Sequence, residues 1–356
     1  MKSSTPAISV IIYAYNRDQY LLDAIKSVVN QTLARDLYEI VVIKNFWQSV
    51  IDSYIAENNV ISLYDESEAV GQMILNAVDK SSGNVLSFLE DDDLFEANKL
   101  KIVYNHFNAF QNDGFYRNDY FAIDDKGRPY LEGRQKHQNE PIYIRKKGGY
   151  VEDMPKIFRF ELHSYPSCMS IRREILLANV SFLGKVRSSQ DHFIFYCGVL
   201  SSKRMYFDNL RLTGYRIHTS ASRFKGSFQD YQEKLKIQSL RDIETFKMVN
   251  SAPSFSDAAF AKQLSLLEAR IHLRFAIGKD SGRITLMEVI SLFWWGIQVR
   301  SKYFLALPLL TILVLLAPNL CSMQASSTII LLFGNLFFSS LADNKPAQPP
   351  PITAKS

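Results

Sequence analysis

Four carboxylates stand in a row, Glu90, Asp91, Asp92 and Asp93, inside "VLSFLEDDDLFEANKL" (Val85 to Leu100). Carboxylates roughly 6 Å apart repel by about 0.7 kcal/mol in water and by about 3 kcal/mol at an effective dielectric near 20. Such a run either faces open solvent or meets a cation. Asp92 or Asp93 could cap the helix-like segment that follows, with Glu96 completing a capping pattern, and acids in a first turn gain about 0.3–1 kcal/mol from the helix dipole. That accounts for one or two acids. Four point to a metal- or phosphate-linked role. Two carboxylates at alternate positions past a strand end point the same way, which allows Glu90 with Asp92, or Asp91 with Asp93. A second candidate is Asp191, at the head of "HFIFYCGVL". By itself it reads as an N-cap of that helix.

The elements that must carry these groups are legible from apolar patterning. "AISVIIYA", "YEIVVIK", "VISLY" and "VLSFLE" read as four strands. Between them, "QYLLDAIKSVVNQT", "SVIDSYIAEN" and "VGQMILNAVDKS" read as helices, the first with Leu21, Leu22, Ile25, Val28 and Val29 on one face and the last closed by Gly83. Strands without polar alternation, separated by helices, predict a mostly parallel α/β sheet covered on both faces. Ligands on such sheets sit at the carboxyl ends of strands. Three of those ends are chemically marked, by "YAYNR", "KNF" and "EDDD". Further on, "FYRNDYFAIDDKGRPYLEG" reads as two strands around a "DDKG" turn, "YPSCMSIRREILLAN" as a strand running into a helix, and "RMYFDN" and "RLTGYRIHTSAS" as two strands. From about Phe228 to Ile277 the chain reads as mostly helical.

Composition narrows the classes. A formal charge of +5 with no long basic tract argues against a nucleic-acid binder. Cys168, Cys197 and Cys321 form no C-x-x-C pair, so neither structural zinc nor a disulfide framework is expected, and a reducing compartment fits. The N-terminal apolar run is too short for a signal sequence, so this part is expected to stay in the cytosol. No charged residue occurs between Lys302 and Asp343. That window holds "YFLALPLLTILVLLAP" and "STIILLFGNLFFSSLA", each just under the ~20 residues of a typical spanning helix. They are expected to form a membrane hairpin with both ends inside, given Arg300 and Lys302 before it and Lys345 after it. The preceding "ITLMEVISLFWWGIQV", with Trp294 and Trp295, suits an interfacial helix. The tail "NKPAQPPPITAKS" is Pro-rich and expected to be disordered.

Three stretches in order resemble the family 2 glycosyltransferases, which have the GT-A fold. "ISVIIYAYNRDQYLLDAIKSVVNQT" resembles their opening strand and helix. "GNVLSFLEDDDLF" resembles their DXD stretch. "QDHFIFYCGVLSSKRMYFDNLRLTGYRIHTSAS" resembles their later E-D block and Y-R-x-H-x-x-S end. The resemblance runs from about Ile8 to Ser222. It implies a metal-dependent, inverting transferase using a UDP- or GDP-sugar with Mn²⁺ or Mg²⁺. Asp92 is then the direct metal ligand, with Asp93 as a further candidate. Ala14, Tyr15, Asn16, Arg17, Asn45, Glu90, Asp91 and His218 are placed on the nucleotide-sugar, and Asp191 is the base. Arg216 and Ser220 are placed near phosphate. One departure stands out: Lys44 and Asn45 occupy the places of the family's acid pair after the second strand. Lys44 could meet a phosphate or an acidic sugar. Arg134, Lys136, Arg145, Lys146 and Lys147 could meet an anionic lipid head group.

The expected organisation is a GT-A catalytic domain over 1–225, a helical extension over 226–283, an interfacial helix and membrane hairpin over 284–342, and a tail over 343–356. The expected activity is glycosyl transfer to a lipid-linked or membrane-proximal glycan at the cytoplasmic face of the cell membrane. A nucleotidyltransferase would want a Gly-rich phosphate loop near the first strand, which "YAYNRDQY" lacks. A catalytically impaired nucleotide-sugar binder is the other alternative, motivated by Lys44 and Asn45.

Overall fold

The computed structural model describes residues 5–130, 137–147, 150–218, 228–251 and 285–299. The strands are β1 (Ile8–Ala14), β2 (Tyr38–Lys44), β3 (Ile61–Tyr64), β4 (Val85–Glu90), β5 (Leu94–Phe95), β6 (Asp113–Ile123), β7 (Ile142–Tyr143), β8 (Lys146–Lys147), β9 (Tyr150–Val151), β10 (Met169–Arg172) and β11 (Arg204–Arg216). The helices are α1 (Leu21–Val29), α2 (Ser49–Glu57), α3 (Val70–Asp79), α4 (Lys99–Ala109), α5 (Met154–Arg159), α6 (Arg173–Leu177), α7 (Val180–Leu183), α8 (Gln190–Leu200), α9 (Phe228–Ser251) and α10 (Leu286–Val299).

The main sheet runs β3-β2-β1-β4-β10-β6-β11-β5, with β7 added on β11. Its first four strands are parallel, as the uninterrupted apolar runs require. The other half corrects the expectation of a mostly parallel sheet. β10 is antiparallel to both neighbours, β6 and β11 are parallel, and β5 and β7 run antiparallel on β11, so the whole is mixed. β10 enters the sheet from the 3₁₀ turn Pro166–Cys168 rather than from a crossover helix, which frees it to run backwards.

Side-chain alternation along β1 feeds two cores. Ile11 and Tyr13 join one with α3, α6 and α8; Ile8, Val10, Ile12 and Ala14 join the other with α1, α2 and α4. The C-terminal helices pack on the first core through Ile243 and Phe246 of α9 and Val289 of α10. Cys168 and Cys197 are free thiols buried in this interior.

Three element readings change. "RMYFDN" and the head of the next segment, "RLTGYR", are one strand, β11, which a bulge carries through register shifts between Phe207 and Arg211 without leaving the sheet. After β6 and the "DDKG" turn, the second expected strand is, among the described residues, the isolated bridge Ile123–Pro129. Gly83 does not end α3, which stops at Asp79. A Cβ at Gly83 would lie 2.6 Å from the backbone of Ile8 and Ser9, so this glycine permits close approach to β1 instead.

Among the described residues no helix is long and apolar enough to cross a membrane. The expected hairpin, the tail, Cys321, Ser220, Arg134 and Lys136 all lie outside the described residues.

Candidate active site

The parallel register aligns the strand ends. Tyr13 pairs with Glu90, Ala14 with Lys44, and Lys44 with Tyr64. The acid run, the "YNR" turn and the "KNF" turn therefore open on one edge of the sheet, as the sequence implied.

Each acid of the run meets a different environment. Glu90 ends β4, and Gln190 Nε2 at the head of α8 donates to its Oε1 at 3.3 Å and to the Tyr13 hydroxyl at 3.4 Å. Burial, then the charges of Asp92, Asp93, Asp191 and Asp91, raise the Glu90 carboxyl well above the ordinary range. Asp91 takes a forked pair from Arg17, whose Nε donates to Oδ2 at 2.6 Å and whose Nη2 donates to Oδ1. Burial nonetheless outweighs Arg17 and raises Asp91. Asp92 Oδ2 meets both Arg17 Nη2 at 2.8 Å and His218 Nε2 at 2.8 Å. Burial would raise Asp92, but the His218 hydrogen bond and the Arg17 charge overcome it and hold this carboxyl below its ordinary value. Asp93 turns inward. It is 1% exposed, its Oδ1 accepts the Arg216 amide at 3.0 Å, and burial with Asp92 beside it pushes it up to about 7. Asp92 thus faces the opening and Asp93 the β11 backbone, which makes Asp93 the weaker candidate for a metal ligand.

Asp191 lies in the first turn of α8, but it is not the N-cap. Ser189 holds that position in the left-handed region (φ 54°), and its hydroxyl donates to Asp242 of α9. Asp191 Oδ2 accepts the Tyr165 amide at 3.3 Å and Oδ1 accepts the His192 amide at 2.9 Å. Tyr165 is itself left-handed (φ 70°), as is Asn16 (φ 53°) in the "YNR" turn. Left-handed non-glycine residues cost free energy and gather where a fixed geometry is required. Three of the five among the described residues flank this opening.

The remaining site residues divide. Ala14 is buried at the end of β1, while Tyr15 is exposed beside it. Asn16 and Asn45 clasp each other: the Asn16 amide donates to Asn45 Oδ1 at 2.8 Å and Asn45 Nδ2 to Asn16 Oδ1 at 2.7 Å. Lys44 is not available to a phosphate. It is 1% exposed, with Nζ 2.8 Å from Asp52 Oδ1 and donating to the Phe46 carbonyl at 2.6 Å. Arg216 is buried too, its Nε and Nη1 donating to the carbonyls of Asp92, Asp124 and Asp125. Arg145 pairs with Glu152 and Asp153 at the surface, which leaves less of its charge for a lipid head group. Tyr13, Gln190 and Tyr165 were not singled out by residue type. The "QD" pair carried a hint of Gln190; nothing in sequence placed the Tyr165 amide on Asp191.

Among the described residues no three His, Cys, Asp or Glu side chains are grouped to enclose a metal ion. Asp92 Oδ2 and His218 Nε2 are hydrogen-bonded to each other at 2.8 Å, and Asp91 lies alongside. A hard divalent cation that fills its other positions with phosphate oxygens and water fits these donors once that hydrogen bond opens and Arg17 moves.

The fold has solved counterparts. A crystal structure of S. aureus TarS 1-349 in complex with UDP-GlcNAc superposes with a TM-score of 0.53 over 92% of each chain, at 15% identity. An uncharacterized glycosyltransferase of Rickettsia typhi (strain ATCC VR-144 / Wilmington) is 25% identical over 61% of this chain and 67% of its own length. Another, of Rickettsia bellii (strain RML369-C), is 33% identical over 35% of this chain, a match that spans only 18% of that relative's length. Residues 9–178 match the family model described as glycosyl transferase family 2, so the family's pattern lies in the segment that carries the acid run, with Asp191 and His218 just beyond it.

Proposed function

We propose that this chain transfers a sugar from a nucleotide-sugar donor, a UDP-sugar in the first instance, to an acceptor hydroxyl with inversion at the anomeric carbon. The observation that carries this reading is the meeting of two acidic elements at one strand edge: the β4 run, and Asp191 on α8, drawn together by Gln190 on Glu90 and Tyr13. The TarS complex, whose fold this chain shares, holds UDP-GlcNAc, which favours a uridine donor.

In this reading Asp92 and His218 would hold a divalent cation, which when bound would supply charge neutralisation for the diphosphate leaving group. The Asn16–Asn45 clasp and exposed Tyr15 offer hydrogen bonds and a ring face to the nucleoside. Asp191 takes the proton of the acceptor hydroxyl as its oxygen bonds to the anomeric carbon and the bond to the diphosphate breaks. The Tyr165 and His192 amides aim the carboxylate. General-base assistance of this kind contributes about 10²–10⁴ in rate.

The acceptor is proposed to be lipid-linked or membrane-proximal, with the site at the cytoplasmic face. Support comes from α10, which exposes Leu286, Met287, Ile290, Phe293, Trp294 and Ile297 while burying Val289. Those exposed positions recur with helical spacing, as on a helix lying at a bilayer surface. The test combines thermal shift with nucleoside diphosphates and Mn²⁺, and release of UDP or GDP from their sugar conjugates. Stabilisation by one diphosphate and turnover of its sugar is expected. No stabilisation by any nucleoside diphosphate, with no release from any donor, refutes the reading.

A further inference from the structure

The acid run already holds a cation. Arg17 lies in the turn between β1 and α1, its guanidinium forked on Asp91 and bridging to Asp92 Oδ2 at 2.8 Å. The two acids are nearly buried, with side chains 8% and 15% exposed, whereas Arg17 is 32% exposed. Arg216, the other arginine close by, spends its Nε and Nη1 on backbone carbonyls, and its Nη2 lies 3.7 Å from Asp23, outside the run. Arg17 is thus the arginine that neutralises Asp91 and Asp92, and the one with a path to solvent.

We propose that Arg17 is a resident counter-cation that competes with the divalent metal for Asp91 and Asp92, making metal binding conditional on the donor diphosphate. This rests on the metal-assisted reading of the same site. A metal ion arriving alone must break a forked, charge-assisted pair and send the guanidinium into water without a partner. A metal arriving with a diphosphate brings the guanidinium a new anion, because the arginine fork matches phosphate oxygens as well as carboxylate. The displaced cation then ends on the leaving group it would help to neutralise. Asn16, left-handed and clasped to Asn45, pins the residue before Arg17, so the exchange is confined to the side chain and the turn after it. Lysine cannot reproduce the fork, so the competition depends on arginine and not on positive charge alone.

The test is Mn²⁺ binding to the full-length chain without nucleotide, read from the free-ion signal by electron paramagnetic resonance. Wild type is compared with Arg17→Gln, Arg17→Lys and Arg17→Gln/Asp92→Asn, each checked for native circular dichroism and melting. Coupling of the usual size predicts that Arg17→Gln binds Mn²⁺ alone about tenfold or more tightly than wild type. Arg17→Lys should fall between, and the double variant should lose the gain. Calorimetry should show UDP with Mn²⁺ binding to wild type far better than either alone, and a smaller interdependence in Arg17→Gln. Mn²⁺ affinity in Arg17→Gln equal to or below wild type overturns the proposal, as does a gain that survives Asp92→Asn. A chain that binds no nucleoside diphosphate at all would instead fail the functional reading, while the Mn²⁺ comparison alone would still decide the competition.

Discussion

Replacing Asp191 by Asn separates chemistry from architecture. The carboxylate holds two amides, Tyr165 N–H at 3.3 Å and His192 N–H at 2.9 Å. An asparagine has one oxygen, so it keeps one of these and turns an NH₂ toward the other. Losing one such bond costs about 1–2 kcal/mol. Losing a charge from the first turn of α8 adds about 0.3–1 kcal/mol. Both are small against the roughly 5–15 kcal/mol that hold a domain together, so Asp191→Asn should fold, with a modestly lower melting temperature. The chemical loss is larger. Removing a general base costs about 10²–10⁴ in rate, or about 2.7–5.4 kcal/mol of barrier at 1.36 kcal/mol per decade. Donor binding does not depend on the base, so kcat should fall at least about a hundredfold while donor affinity stays near wild type. The assay is single-turnover transfer at saturating donor and acceptor, beside calorimetric UDP binding. A transfer rate within about threefold of wild type refutes the base assignment and leaves Asp191 as the brace between α8 and the Tyr165 turn.

Lys99 is fully buried, its Nζ donating to Thr213 Oγ1 at 3.0 Å and to the Ser167 carbonyl, and burial lowers it to about 7. Between that value and about 10.4 the unfolded chain binds more protons, so stability should rise with pH by up to about 1.4 kcal/mol per unit. The stability of wild type minus that of Lys99→Met, from urea melts at pH 7.5 and 9.5, should therefore be more positive (or less negative) at the higher pH; a constant value contradicts the burial argument. A Cβ at Gly71 would lie 1.9 Å from the Leu183 carbonyl, so Gly71→Ala should push α3 off α7 and destabilise by about 1–3 kcal/mol in denaturant melts; an unchanged midpoint would show that this contact is loose. Trp294→Ser with Ile297→Ser removes two exposed apolar side chains of α10, each worth about 1.5–3 kcal/mol when buried. Flotation on phosphatidylcholine–phosphatidylglycerol vesicles should drop at least about tenfold, and undiminished flotation would place the lipid contact elsewhere.

Much of the site was legible before folding because it rests on short-range order. Buried parallel strands read as unbroken apolar runs, and their carboxyl ends were marked by "YAYNR", "KNF" and "EDDD". Parallel pairing in register brings those ends to one edge, so Asn16, Arg17, Asn45 and Glu90–Asp93 converge as their sequence positions imply. Motif order added Asp191 and His218, and His218 does reach Asp92.

Folding alone decided how the four acids differ. A residue string carries no dielectric, and the acids after Glu90 leave β4 in a turn, where strand alternation no longer sets direction: adjacent Asp91 and Asp92 share Arg17. Asp92 therefore keeps Arg17 and His218, while Asp93 is turned under β11 and pushed up to about 7. Lys44 was a free cation in sequence and is an internal ion pair in the structure, because its strand-end side chain packs against the first turn of α2, where Asp52 waits. The reversal of β10, the bulge in β11 and the Tyr165 amide on Asp191 depend on contacts between segments far apart in the chain, and local patterning does not encode such pairings. The same physics put Arg17 on the acids: each residue type was visible, but the fork between positions 74 residues apart exists only once β1 and β4 lie side by side.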